Sequence, residues 1–297
     1  MGGGREDRRD FSFIQISDHH LGESERTLRK GFLPAYAFRA VLRDIAETWE
    51  DQVDFIVSTG DLVLEGTAEA YDCVRRMLNL RMTAPPPGPQ RVSVEGLQDF
   101  PMYFTPGNHD HAHRFSQCLF GQRSEGERLH LSFEHEGVHF VCPDWGPEEA
   151  AGAPGPDGLT PLTAPDTTPE LAAWLDTAIP DDEPTIVLIH YAPVHLADRW
   201  TEGFVPRNLD RFWEVVAGRE NVLAVFCGHI HQTFETMVSG IPVFGVASTC
   251  YQQVRTCTGR MVRALLPLAY RVIRVTGGTV STEVCEVDLP LGRRHHL

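Results

Sequence analysis

No stretch of this 297-residue chain reaches the roughly 18 consecutive apolar residues that a helix needs to cross a bilayer, which excludes a helical membrane protein. There is no C-x-x-C pair: the seven cysteines (Cys73, Cys118, Cys142, Cys227, Cys250, Cys257 and Cys285) are odd in number and scattered. That pattern excludes a disulfide framework and reads as reduced, mostly buried thiols of a cytoplasmic protein. Spacing permits a Cys250 to Cys257 bridge, and nothing else supports one. Basic residues are scarce, 26 Lys and Arg against 41 Asp and Glu, for a net charge of -15. With the acids spread along the chain, sequence-independent attraction to nucleic acid is disfavoured, and bound cations can offset part of the negative charge. Arg8-Arg9 before Phe11 is faintly similar to a twin-arginine export signal. The apolar segment that follows, however, runs directly into Ser17-Asp18-His19-His20 and reads as a buried first strand.

At 42% hydrophobic and 23% charged residues the composition is that of a globular protein. The length suits one large layered α/β domain over 11–290, with a flexible N-terminus (1–10) and a short C-terminal tail (291–297) carrying His295 and His296. The early chain follows βαβ grammar: strand 11–16, helix 35–50, strand 55–58, helix 67–80, a break at Pro85-Pro86-Pro87, then strand 102–105. Gly137 between 131–136 and 138–142 predicts a hairpin, and 146–169, rich in Pro, Gly, Ala, Asp and Thr, predicts a long surface loop. Helices at 169–178 and 209–217, buried strands at 185–189, 222–227 and 243–246, and a closing hairpin over 270–287 about Gly277-Gly278 complete the pattern. The edge of that hairpin offers a surface for a homodimer. There is no internal repeat.

Five polar clusters each stand where a predicted strand hands over to a loop: Asp18-His19-His20, Gly60-Asp61, Gly107-Asn108-His109-Asp110, His190, and Gly228-His229-Ile230-His231. Ligands of open α/β sheets bind outside the carboxyl ends of strands, so these clusters predict one site. Carboxylates, imidazoles and one carboxamide, without thiolate, suit Mn, Fe or Zn. Asp18 and His20, two apart on an extended segment, can turn to the same ion, as can His229 and His231. A glycine before Asp61, Asn108 and His229 allows close backbone approach. Singly each motif has an ordinary reading, since a G-D or G-N pair is usually a turn and H-x-H arises by chance.

In this order, from about 11 to 247, D-x-H, G-D, G-N-H-D, a lone His and G-H-x-H resemble the calcineurin-like metallophosphoesterase superfamily. Ser17-Asp18-His19-His20-Leu21, the segment from Gly60 to Gly66 with Tyr71, and Pro106-Gly107-Asn108-His109-Asp110 are most similar to class III cyclic-nucleotide phosphodiesterases and related bacterial glycerophosphodiesterases. The resemblance implies a four-layer αββα sandwich, two mixed β-sheets flanked by helices. It also implies two divalent or trivalent ions, one held by Asp18, His20 and His231, the other by Asn108, His190 and His229, with Asp61 bridging them. His109 is then no ligand but, with Asn108, faces the substrate phosphoryl group, as general acid or charge stabiliser. Two cations about 4 Å apart generate hydroxide near neutral pH and neutralise phosphoryl charge. A histidine that protonates the departing oxygen contributes about 10²- to 10⁴-fold more.

Two departures stand out. Relatives commonly have an acid where this chain has Leu64, and here Glu65 follows, so either Glu65 or another group orients His109. The usual His-His-Pro-Pro appears as His190-Tyr191-Ala192-Pro193. His19 is expected to point away from the metals, while His111 and His113 fit either a pocket wall or a solvated loop. Trp200, Phe204 and Trp213 read as packing before base stacking, and Ser248-Thr249 as a candidate substrate contact. The expected activity is hydrolysis of a small phosphodiester, a cyclic nucleotide or glycerophosphodiester. The alternatives are a phosphomonoesterase or protein phosphatase, for which Arg114 is the one nearby arginine, a DNA nuclease, opposed by the acidic charge, and a non-catalytic metal-binding scaffold.

Overall fold

β1 (Phe11–Ile16) and β2 (Phe55–Thr59) are buried almost throughout, as parallel strands covered on both faces must be. They lie side by side in parallel, with Phe13 opposite Phe55. The computed structural model describes residues 9–124, 126–147, 149–150, 162–196, 204–255, 261–264 and 267–289. Trp200, Cys257, His295 and His296 fall outside them. The remaining elements of the first half are α1 (Pro34–Trp49), α2 (Ala68–Met77), β3 (Gln90–Val94), β4 (Leu97–Thr105), α3 (Ala112–Phe120), β5 (Leu131–His135) and β6 (Val138–Cys142). The second half adds β7 (Glu149–Ala150), β8 (Leu162–Thr163), α4 (Pro169–Ala178), β9 (Thr185–Leu188), α5 (Leu209–Val216), β10 (Val222–Cys227), β11 (Phe234–Val238), β12 (Ile241–Gly245), β13 (Gln252–Arg255), β14 (Met261–Ala264), β15 (Leu268–Thr276) and β16 (Thr279–Val287).

Two six-stranded mixed sheets result, in the orders β16-β15-β1-β2-β4-β3 and β11-β12-β10-β9-β6-β5. The central strands of each, β1, β2 and β4 in one and β6, β9, β10 and β12 in the other, are parallel. Antiparallel partners close the edges. Helices α1 to α3 cover the first sheet, and α4 and α5 bury Leu171, Leu175, Phe212 and Val216 against Val187, Val225 and Val243 of the second. This is the expected four-layer αββα sandwich.

The interface between the sheets is aromatic. Phe13 stacks on Phe55 at 5.0 Å and meets Phe140 and Phe226 of the facing sheet edge-on at 5.5 and 6.0 Å. Two polar residues also cross it. Gln15 Nε2 donates to Cys227 O (3.1 Å), and the fully buried Arg271 donates to Glu235 Oε1 (2.8 Å) and Gly245 O (3.0 Å). Burying a guanidinium is tolerable only with such partners.

Predicted and observed elements agree where the hydrophobic period is strong. The differences are β3, β11, α3 and the β13–β14 pair, which the sequence reading did not assign. β3 follows the proline break and is only half buried, and β11 alternates between half-buried and exposed residues at a sheet edge. Within 146–169 the loop carries the short ribbon β7–β8, and 151–161 lie outside the described residues. The described cysteines are all free thiols, Cys250 among them. Among the described residues no helix is long and apolar enough to cross a membrane. The inter-sheet packing predicts that Phe13→Ala lowers unfolding free energy by about 3–5 kcal/mol in urea titration. Met237→Ala, on a side chain 66% exposed, should stay within ~0.5 kcal/mol of the parent.

Candidate metal centre and its pocket

The loops after β1 and β2 continue the parallel pairing of their strands. Asp18 N donates to Gly60 O, His20 N to Asp61 O and Leu21 N to Leu62 O, at 3.0, 3.0 and 3.1 Å. This pairing aligns the first two clusters before any ligand is considered. Asp18, His20, Asp61, His229 and His231 all have φ between 48° and 68°, the left-handed region that non-glycine residues rarely adopt. Such strain persists only where the surroundings over-determine it, and its concentration in the polar clusters marks a functional site. Gly107 and Gly228 permit the close approach: a Cβ on Gly107 would overlap Asp61 N and Oδ1, and one on Gly228 would overlap Ser17 Oγ.

Side chains from five strand ends converge into two adjoining groups. In the first, His20 Nε2 lies 3.0 Å from His231 Nε2, which lies 3.3 Å from Asp18 Oδ1. In the second, Asn108 Oδ1 is 2.9 Å from His190 Nε2 and 3.0 Å from His229 Nδ1. Asp61 stands between them, Oδ1 3.3 Å from His190 Nε2 and Oδ2 3.7 Å from His20 Nε2. All seven predicted ligand residues are thus brought together, with Asp61 between the two groups.

The arrangement holds more acceptors than donors. His190 Nδ1 donates to Thr59 O (2.9 Å) and His231 Nδ1 to Tyr251 O (2.7 Å), so the inward Nε2 of each ring carries either a lone pair or a second proton. Asp18 Oδ1, His20 Nδ1 and His229 Nε2 are buried without a hydrogen-bond partner. Without a second proton, the Nε2 lone pairs of His231 and His190 face Asp18 Oδ1 at 3.3 Å and Asn108 Oδ1 at 2.9 Å, contacts that repel unless positive charge lies between them. Nitrogen and oxygen donors in this number fit a pair of divalent cations.

The field is consistent with that fit. Burial pushes Asp61 upward, but the His190 and His109 charges outweigh it and hold the carboxyl well below the usual range. Asp18 is lowered as well, with burial opposing and His231 the main stabiliser. Burial would depress His190, yet Asp61 raises it to about 10. The same charge therefore attracts either a proton on His190 or a metal cation. Burial, reinforced by the His190 charge, lowers His229 to about 3, so this imidazole stays neutral and available as a donor.

His109 sits at the rim. Its Nδ1 donates to Leu64 O (2.8 Å), and its Nε2 lies 4.0 Å from Asp61 Oδ2. The group that orients it is therefore the Leu64 main-chain carbonyl and not the Glu65 carboxylate. No sequence pattern could have revealed this, because any residue at 64 supplies a carbonyl. Asp110 and Tyr71 form a further support: Asp110 accepts from Gly107 N, Leu62 N and Tyr71 Oη, and Tyr71 Oη accepts from His111 N. Asp110 lies in the recognised motif, but its bracing role needed the fold.

Other expectations resolve as follows. His19 points away, between Ser58 Oγ (2.9 Å) and Thr249 Oγ1 (2.6 Å). Ser248 and Thr249 are fully buried behind the Asp18 loop, Ser248 Oγ donating to Asp18 O, so the suggested substrate contact is corrected to a structural one. Trp213 packs on Phe212 and donates to Pro193 O, while Phe204 lies 5.5 Å from the His229 ring. His111 and His113 do line a pocket, a cavity of about 570 Å³ opening beside Asn108 and His109. Arg128 and Gly146 line the same cavity.

The sequence profile of the calcineurin-like phosphoesterases matches residues 11–233. The chain belongs to this family. A 3',5'-cyclic-nucleotide phosphodiesterase of Nostoc sp. is 26% identical to this family member over 95% of the chain and 94% of the relative. The 3',5'-cyclic adenosine monophosphate phosphodiesterase CpdA of Haemophilus influenzae is 26% identical over 94% and 90%. In fold, the family member is similar to a dimetal phosphatase from Danio rerio, with TM-score 0.55 and 15% identity over 94% of this chain and 99% of that one.

Two outcomes follow from the geometry. Gly107→Ala displaces Asp61 and should lower metal retained after dialysis, read by elemental analysis, with activity reduced about 10²-fold and far-UV dichroism unchanged. His130, beside the cavity, accepts from Asp144 N, and burial followed by the Arg128 charge lowers it from 6.5 to about 4. Above pH 6.5 both folded and unfolded states leave it neutral. Between 6.5 and about 4 only the unfolded chain takes the proton, so stability falls with pH through that window. His130→Gln should make that fall shallower in urea titrations at pH 7 and 4.5.

Proposed function

We propose that the protein is a dinuclear metal-dependent phosphodiesterase acting on small phosphodiesters, cyclic nucleotides first and glycerophosphodiesters second. The observation that carries this reading is the convergence of Asp18, His20 and His231 with Asp61, Asn108, His190 and His229, with His109 at the rim. In this reading Asp18, His20 and His231 hold one cation, Asn108, His190 and His229 hold the other, and Asp61 bridges. Mn, Fe or Zn ions bound there supply a water activated for attack and neutralise phosphoryl charge. The near full-length relatives named as cyclic-nucleotide phosphodiesterases support the substrate class.

The chain's own groups do the rest. Asn108 and His109 line the cavity where the ester enters and orient the phosphoryl group. His109, fixed through Nδ1 by the Leu64 carbonyl, presents Nε2 as the atom that carries the proton to the departing oxygen. Arg114, the arginine that would favour a phosphomonoesterase, spends Nη1 on Gly66 O (2.7 Å).

Metal-free protein reconstituted with Mn²⁺ should turn over bis(p-nitrophenyl) phosphate at least about tenfold faster than p-nitrophenyl phosphate. Asp61→Ala should remove the activity. Faster monoester turnover would favour the phosphatase, and inactivity with every divalent metal the scaffold.

A further inference from the structure

The cavity beside Asn108 and His109 is far larger than a phosphoryl group needs, and its volume of about 570 Å³ lies within the range of small-molecule sites. We propose that it receives the nucleoside portion of the substrate, and that Arg128 is its specificity-determining residue, donating hydrogen bonds to the sugar or base. This rests on the phosphodiesterase reading and adds the part of the substrate that the metal ligands do not touch.

Arg128 is presented by a built support. Asp144, buried behind it, accepts from Leu129 N (2.8 Å) and Gly146 N (2.6 Å), and its own N–H donates to His130 Nδ1 (3.0 Å). The His130 ring stacks on Trp174 at 4.5 Å. The chain immediately after Arg128 is therefore clamped to the Asp144 turn. The guanidinium lies against Gly146, where a Cβ would overlap it, so only glycine (φ 75°) leaves it room.

The Arg128 charge steadies the buried Asp144 carboxylate, but no hydrogen bond fills its donors. Among the described residues no hydrogen bond or ion pair engages its guanidinium, and Nη1 is buried without a partner. A guanidinium carries five donors, and leaving the buried Nη1 unfilled costs stability, while its other nitrogens are not buried without partners. An unfilled guanidinium on the wall of a cavity next to the reacting centre is available to a ligand. Ribose hydroxyls and base nitrogens and carbonyls are neutral acceptors suited to it.

Mn²⁺-reconstituted Arg128→Met, Arg128→Lys and Gly146→Ala proteins should be compared with the parent. The substrates are 3',5'-cyclic AMP, 3',5'-cyclic GMP and bis(p-nitrophenyl) phosphate, which has neither sugar nor base. Binding of AMP is followed by calorimetry. For Arg128→Met the expected result is KM for the cyclic nucleotides raised about tenfold or more with kcat within about threefold, the aryl diester unchanged within about twofold, and AMP binding weakened to match KM. Gly146→Ala should move the same parameters in the same direction, and Arg128→Lys should recover part of the loss. Equal losses on all substrates would overturn the inference, pointing to a phosphoryl contact or a structural role, as would unchanged KM and AMP affinity. If the parent hydrolyses only the aryl diester, the cyclic-nucleotide reading fails. The inference then stands if AMP binds in an Arg128-dependent manner and falls if AMP does not bind.

Discussion

Two carboxylates buried at the seam between the sheets, Asp18 and Asp61, set the terms for the rest of the site. A buried carboxylate kept ionised must find positive charge or donors nearby. Here Asp18 Oδ2 accepts from His229 N and Asp61 Oδ1 from His109 N, so each charge also pins the backbone of another cluster. His190 and His231 turn Nε2 inward because main-chain carbonyls hold their Nδ1 atoms. The outcome is a pocket that is over-supplied with electron density and strained in its backbone, which is the condition for holding cations tightly.

The scaffold makes this affordable. Parallel pairing carried past the ends of β1 and β2 sets the Asp18 and Asp61 loops in register, and Gln15 ties the first sheet to the Cys227 carbonyl at the end of β10. The aromatic layer between the sheets makes the two halves one body near that seam. Strain in the loops is thus supported by packing in the strands below.

Around the reacting centre the roles divide by distance. The residues proposed as metal ligands lie at strand ends and are nearly buried, His109 stands at the rim, and Arg128 belongs to a wall built from chain that shares no motif with the centre. Such a division lets the centre remain fixed while the wall sets which organic group enters. Asp144 organises that wall much as Asp110 braces the centre, each buried carboxylate accepting several backbone N–H groups.

What the sequence by itself determined were the features encoded locally. Buried strands such as β1 and β10, the helix opening at Pro169, and the five polar clusters are each specified by neighbours a few residues apart. Convergence of the clusters followed from their position at strand ends. Edge strands β3 and β11 escaped because a half-exposed strand has a weak hydrophobic signature. Only the tertiary structure decided that Leu64 O orients His109, that Ser248 and Thr249 face inward, and that Arg128 lines the cavity with its buried Nη1 lacking a hydrogen-bond partner. These depend on main-chain atoms common to every residue, or on contacts across long sequence separations, and neither leaves a mark in local residue order.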